Sequence, residues 1–372
     1  MTCFHRGRPV LVLALVSGCT LGPANEDRTG VANNAIVNGQ PSGEADDAVV
    51  LILTHVPKRD TSQGMYFRNC TGTLLSPSVV LTARHCVSET TDGTFTCKED
   101  GTLGTGPGGT VVYDYVPSDT HVFVGATLPS TVDPSTFPGQ GAAYVHDSAT
   151  TLCNHDLALI VLATPIPNAK IAPIRLDSGV TMGETFSAIG WGSTVTDFVP
   201  MERQRRDGVQ VILTGPSSSA YYGSFLADRE FRASESVCTG DSGGPALDSM
   251  SGAVIGTVSN GPNGGITMNG SGCVGTTHTF QETSPYKDLV LQAFGMTTDK
   301  PWIEGQPMPG TSGAGGATSS SSSSTGSAMK QKTVSTSKGC AISEGAPSSA
   351  WSVGLLGLGA LFAARRRRSD VS

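Results

Sequence analysis

Residues 240–245 read Gly240-Asp241-Ser242-Gly243-Gly244-Pro245. A serine hydroxyl is a weak nucleophile until a neighbouring base takes its proton. The glycines around Ser242 let backbone amides converge on one point. Two of them, the N–H groups of Gly240 and Ser242, are placed to stabilise an oxyanion, and one such donor is worth about 3–4 kcal/mol of barrier. A surface turn has no need of this hexapeptide, so the motif predicts a nucleophile.

Working outward, a base is found at Leu81-Thr82-Ala83-Arg84-His85-Cys86, where His85 ends an apolar run. A histidine at a strand end, fixed by an adjacent cysteine, suits a general base. Asp156-Leu157-Ala158-Leu159-Ile160 starts another apolar run with a carboxylate. An aspartate buried against an imidazole fixes its tautomer. Ile36-Val37-Asn38-Gly39 closes a polar leader and reads as the start of a folded domain.

Runs rich in Val, Ile and Thr, bounded by Gly, Pro, Ser and Asp, predict strands at 49–54, 73–82, 121–124, 157–162, 185–190, 208–213 and 253–259. Helical spacing is clear at Tyr286, Leu289, Val290, Ala293 and Phe294. Many short strands and one terminal helix predict an all-β barrel or sandwich. The composition agrees: 47 glycines and 15% charged residues in 372. A net charge of −7 argues against a nucleic-acid partner, which calls for a basic patch. The seven histidines show no metal-ligand spacing, and no cofactor is expected.

In the order His85, Asp156, Ser242, the motifs resemble the chymotrypsin/trypsin family of serine proteases over about residues 36–298. The resemblance implies the all-β, two-barrel chymotrypsin-like fold with a C-terminal helix, and a serine endopeptidase working through an acyl-enzyme. It implies Ser242 as nucleophile, His85 as general base and acid, Asp156 as orienter, and Gly240 and Ser242 as oxyanion donors. Gly190-Trp191-Gly192 also matches. Ser259-Asn260-Gly261 lies where relatives carry Ser-Trp-Gly to pair with substrate backbone, so Asn260 makes one pocket wall more polar or more open. Arg84 replaces a small residue. Six positions before the nucleophile, Ser236 forms the floor of the primary pocket and offers no anion to a cationic substrate side chain. The expected preference before the scissile bond is therefore for apolar or small residues.

The same resemblance pairs Cys70 with Cys86 and Cys238 with Cys273, and leaves Cys97 and Cys153 as a third bridge inside a long stretch between His85 and Asp156. Six cysteines admit 15 pairings, so the pairing is the family's. In this family, cleavage before the Ile-Val pair frees an α-ammonium that inserts beside the aspartate preceding the nucleophile. Here these are Ile36 and Asp241, and the expected partners include an activating protease that accepts Asn34-Ala35 before the cut, possible candidates including the chain itself.

The ends read as addresses. Arg6 and Arg8 precede the apolar run Val10 to Val16, a secretory signal over residues 1–18. Val16-Ser17-Gly18-Cys19 resembles a bacterial lipobox, implying lipid on Cys19, with residues 19–35 as propeptide. The expected protease domain is 36–300, followed by a Ser/Gly-rich disordered linker at 301–338. Gly339-Cys340, the apolar 350–364 and Arg365 to Arg368 resemble a MYXO-CTERM sorting tail over 339–372, implying a C-terminal sorting protease, membrane contact through the terminal anchors and an exported, surface-bound or secreted protein.

Two other classes remain at this point. Gly240 to Gly244 also fits the nucleophile elbow of α/β-hydrolase esterases, with Asp248 and His278 following in order. That elbow needs a buried strand before it and a helix after it. Ser234-Glu235-Ser236-Val237-Cys238 is no such strand, and Pro245 and Gly252 spoil the helix. A non-catalytic surface binding module on the same fold is the other class, although such modules typically lose a reacting residue, and all three are present.

Overall fold

The computed structural model describes residues 36–57, 65–193, 200–221, 223–261 and 273–310. The signal, Cys19, the propeptide, Cys340 and the sorting tail lie outside these residues. The first half holds β1 (Gln40–Pro41), β2 (Val49–Pro57), β3 (Met65–Ser76), β4 (Val79–Thr82), α1 (Arg84–Val87), β5 (Ser88–Thr90), β6 (Val111–Asp114), β7 (Thr120–Phe123), β8 (Gly139–Val145) and β9 (Ala158–Leu162). β2, β3, β4, β9, β8 and β7 close into an antiparallel barrel. The run expected as one strand over 73–82 is two, because Pro77 and Ser78 turn the chain between β3 and β4.

Alternation within β2 decides what lies on each side. Val50 and Ile52 join Leu74, Val80, Ile160 and Leu162 in one core, while Leu51 and Leu53 pack with Trp191 on the other face. This two-sided burial explains why β2 reads as a continuous apolar run.

The second half holds β10 (Thr185–Gly190), β11 (Gln204–Thr214), β12 (Ser217–Tyr221), β13 (Ser224–Leu226), β14 (Glu230–Ala233), β15 (Pro245–Asp248), β16 (Val254–Asn260), β17 (His278–Glu282) and α2 (Lys287–Gly295). The order β11-β10-β15-β16-β17-β14 closes through a β11–β14 pairing into a second six-stranded barrel, with β1 added beside β11. Its core is built on Phe186, Phe231 and Phe280, with ring centroids 5.1–6.1 Å apart, and takes in Ile36 from the start of the domain. The expected helix forms. Its apolar face, Tyr286, Val290, Ala293 and Phe294, packs on Leu81, Leu159 and Val161 outside the first barrel.

The linker was expected to start at 301, but the chain stays on the domain beyond that point. Ile174 N donates to Trp302 O at 2.8 Å and Glu304 N donates to Ile174 O at 2.9 Å. Ile303 packs on the α2 core, and Arg175 donates to both carboxylate oxygens of Glu304. A Pro-Trp-Ile segment has apolar surface to bury; the Gly/Ser composition that suggested a linker starts further on.

Candidate active site

β4 runs straight into α1, and this junction carries His85. Asp156 sits two residues ahead of β9, which is β4's neighbour in the barrel. Their side chains meet: His85 Nδ1 is 2.8 Å from Asp156 Oδ2 and 3.0 Å from Oδ1. His85 also donates its backbone N–H to Asp156 Oδ1 at 2.9 Å, so the carboxylate holds both ring and main chain. Asp156 is fully buried. Ser259 at the end of β16 donates its hydroxyl to Asp156 Oδ2 at 2.7 Å. This contact ties the second barrel to the first and was missed in the sequence, where Ser259 was read only as a substrate contact.

Ser242 comes from the second barrel, in the turn before β15. Its carbonyl accepts from Thr71 N of β3 at 2.9 Å and lies 3.6 Å from Cys86 Sγ, next to His85 in the chain. Thr71 also donates its hydroxyl to Gly240 O at 2.9 Å and accepts from Trp191 N at 3.0 Å. One threonine of the first barrel thus clamps the Gly240–Ser242 turn from below. Gly243 has φ +78°, where a side chain is strained, and a Cβ there would strike Thr82 and Ala83 just ahead of His85. Cys70 and Cys86 are bridged, tying α1 to β3. Cys238–Cys273 and Cys97–Cys153 are also bridged. The compact group Cys70, His85 and Cys86 offers no metal thiolates, because both sulfurs are in the disulfide.

Asp241 is turned inward and fully buried. Its oxygens accept from Gly192 N and Cys238 N, each at 2.8 Å. Burial pushes its carboxyl up to about 7 against those two donors. Gly192 has to be glycine, since a Cβ would stand 2.5 Å from an Asp241 oxygen. Ile36 is buried in the second-barrel core beside Val237, and Val37 N donates to Ser236 O at 2.9 Å. The Ile-Val pair and the Ser236–Asp241 loop are therefore brought together.

Arg84, the residue that departs from the family pattern, now has a physical account. It is almost fully buried, and Nη1 lies 2.7 Å from Asp114 Oδ1 at the end of β6. Asp114 also accepts from Ser88 and contacts His146 Nε2. Desolvation lowers the Arg84 pKa from its ordinary value, partly offset by Asp114. The long stretch between His85 and Asp156 thus supplies Arg84 with its counter-ion, and that stretch is held by its own bridge, Cys97–Cys153. Asp248 and His278, the formal partners of the α/β-hydrolase alternative, do not approach a helix after Ser242: residues 245–248 are a strand, and Asp248 caps the following turn through Ser251.

Two six-stranded barrels with a polar site at their junction define the chymotrypsin-like fold. The family described as Trypsin matches residues 54–283, and the chain belongs to that family. Trypsin iota of Drosophila melanogaster is 25% identical over 240 residues, covering 62% of this chain and 81% of that protein. The family supports a serine-type peptidase acting on protein or peptide substrates. Three disulfides fit an oxidising compartment. Among the described residues, no helix is long and apolar enough to cross a membrane.

Proposed function

We propose that the protein is a serine endopeptidase in which Ser242, His85 and Asp156 form the catalytic triad. The observation that carries this is the His85–Asp156 pair, made at both the ring and the backbone, with the Ser242 carbonyl against the neighbouring Cys86. Asp156 keeps the proton of the imidazole on Nδ1 and leaves Nε2 as the base. Nε2 takes the Ser242 proton as Oγ attacks the scissile carbonyl, then returns it to the leaving amine. Water reverses the sequence on the acyl-enzyme. The flanking amides Asp241 N and Gly243 N donate to Cys238 O and Val258 O within the fold. The alternate amides, Gly240 N and Ser242 N, are assigned to the oxyanion.

Ser236, Ser259, Asn260 and Gly261 are assigned to the primary pocket. A neutral Ser236 at its floor favours apolar or small side chains over Arg and Lys, and Ser236→Asp shifts preference towards basic residues. Activation is assigned to cleavage before Ile36, whose new α-ammonium supplies the cation that buried Asp241 calls for. Cleavage there also separates the domain from any lipid on Cys19, leaving the Cys340 tail as tether, with an activating and a sorting protease as partners. N-terminal sequencing of active enzyme tests this route, and an active species that still carries residues 20–35 refutes it.

Turnover of a peptide panel by the wild type, Ser242→Ala and His85→Ala tests the catalytic reading. Either substitution removes most hydrolysis, and the double variant loses little more than either alone, because the members act as a unit. Full activity in Ser242→Ala sinks the mechanism.

A further inference from the structure

The primary pocket holds more polar chemistry than its serine floor. His278 opens β17, paired with Ala233 of β14, while its neighbour Thr279 pairs with Asn260 of β16. It is only 6% exposed. Its ring edge faces the bare side of Gly261: Cδ2 and Nε2 lie 3.6 and 3.8 Å from the point where a side-chain carbon on Gly261 would stand. Among the described residues, His278 Nδ1 has no hydrogen-bond partner, and the same is true of the buried hydroxyls of Thr277 and Ser236. Glu235 binds Gly275 N, which brings the chain ahead of Thr277 alongside Ser236. Three polar atoms without partners among the described residues, His278 Nδ1, Thr277 Oγ1 and Ser236 Oγ, thus belong to the segments that carry the wall at Gly261 and the floor at Ser236. Buried polar groups are normally paired, and an orphan costs about 1–3 kcal/mol. Such a cluster beside a pocket calls for a polar occupant.

We infer that His278, with Ser236 and Thr277, makes the primary pocket a receptor for an acidic side chain before the scissile bond, Glu or Asp, bound with uptake of a proton by His278. This rests on the assignment of the pocket given above and narrows it. The chemistry of the three groups decides the occupant. Two hydroxyls and a protonated imidazole are all donors, and a carboxylate is acceptor-only with two oxygens to fill. The hydroxyls could also accept, so it is the charge of the protonated ring that turns a guanidinium or ammonium away.

The charged groups on the surrounding elements are committed elsewhere. Glu230 of β14 accepts from Ala227 N, Asn154 N and Gln281. Arg232 of β14 stacks on Tyr221 and reaches Ser224 O. Glu235 takes Asn38, Arg206 and Gly275. Asp241 takes Gly192 and Cys238, and Asp156, behind Ser259, takes His85. Among the described residues no carboxylate lies against His278, and burial pushes it down to about 4, so it is neutral at pH 7. A bound carboxylate favours the charged ring and raises that value. Acid selectivity is therefore full below the free value of about 4, declines as pH rises above it, and is lost once pH passes the raised value. Above it, the neutral pocket takes apolar or small residues.

The test is kcat/KM for peptide pairs differing only in Glu or Gln before the cut, with Leu and Arg beside them, from pH 5 to 8. The Glu-to-Gln ratio is expected to exceed one at pH 5, to fall by up to about tenfold per pH unit as pH rises towards the bound pKa, and to level off above it. His278→Asn is expected to abolish that slope. The ratio is internal to each enzyme, so it does not depend on how much of a variant folds. Where His278→Asn gives no folded protein, Ser236→Ala and Thr277→Val carry the test, each lowering the ratio at pH 5. A ratio below one at every pH, or a slope unchanged by all three substitutions, overturns the inference. If turnover is lost in Ser242→Ala in that case, the protease reading stands without it; turnover persisting in Ser242→Ala overturns both.

Discussion

At the scale of single residues, the site depends on how two buried carboxylates are satisfied. Asp156 has three donors, from His85 N, His85 Nδ1 and Ser259 Oγ. Ser259→Ala removes one charged hydrogen bond, and such bonds are worth about 1.5–3 kcal/mol. A fall in kcat/KM of about tenfold or more is expected, with a loss of stability on that same scale. Among the described residues, Asp241 has the two backbone donors Gly192 N and Cys238 N, and burial outweighs them. A carboxyl whose folded pKa is raised from 3.8 to about 7 binds protons in the folded state that it gives up when unfolded. Its contribution is present below the unfolded value and is lost as pH rises to about 7. The uncut chain is therefore expected to lose stability between pH 4 and 7, and Asp241→Asn to flatten that slope in urea titrations. After cleavage, an α-ammonium from Ile36 stabilises the carboxylate and removes the penalty. An equal slope in the uncut wild type and Asp241→Asn counts against this account. The motif around Asp241 was plain in the sequence. The role of Ser259 was not, because a hydroxyl reaching a carboxylate 103 positions away leaves no local pattern.

At the scale of elements, the strands that were legible are those buried through apolar runs, such as Thr185–Gly190, whose expected and observed bounds coincide. β14 was not legible, because Glu230-Phe231-Arg232-Ala233 alternates charge with apolar residues yet is buried throughout. Part of the satisfaction of its charges comes from partners far away in the chain, which no window of sequence contains. Glu230 alone accepts from Asn154 N, Ala227 N and Gln281 Nε2. Glu230→Leu leaves these three donors without an acceptor, at about 1–3 kcal/mol for each that water cannot reach. The variant is expected to unfold at markedly lower urea with an unchanged m-value. Glu230→Gln keeps one oxygen as acceptor and should lose less. Equal midpoints for wild type and Glu230→Leu would show that β14 tolerates the orphaned donors. Cys97–Cys153 is likewise an element-scale feature: it closes a stretch whose β6 end supplies Asp114 to Arg84, so the residue beside His85 is buried only because that stretch folds back.

At the scale of the whole chain, the question is where the folded protein stops. The expected change falls at 301, just ahead of a run dominated by Gly, Ser, Thr and Pro. Packing places it later. Trp302 O and Glu304 N bond to Ile174, Ile303 enters the core shared by α2 and the outside of the first barrel, and Arg175 sits between Glu304, Glu184 and Asp248. The Arg175 guanidinium is held in its charged form chiefly by hydrogen bonding to Glu304. A chain ending after residue 310 keeps these contacts; one ending after residue 300 removes Ile303 and Glu304 and leaves Arg175 with two of its three carboxylates. Fully burying a side chain of this size is worth about 1.5–3 kcal/mol, so partly buried Ile303 contributes less, and the partly exposed ion pair adds at most about 1 kcal/mol. The 310 form is expected to melt with the full-length chain and to match its kcat/KM. The 300 form should melt several degrees lower while its activity at low temperature is little changed, because Ser242, His85 and Asp156 rest on contacts of the barrel junction that do not involve this segment. Differential scanning calorimetry of both truncations separates the two boundaries: identical melting of the 300 and 310 forms would return the domain end to residue 300.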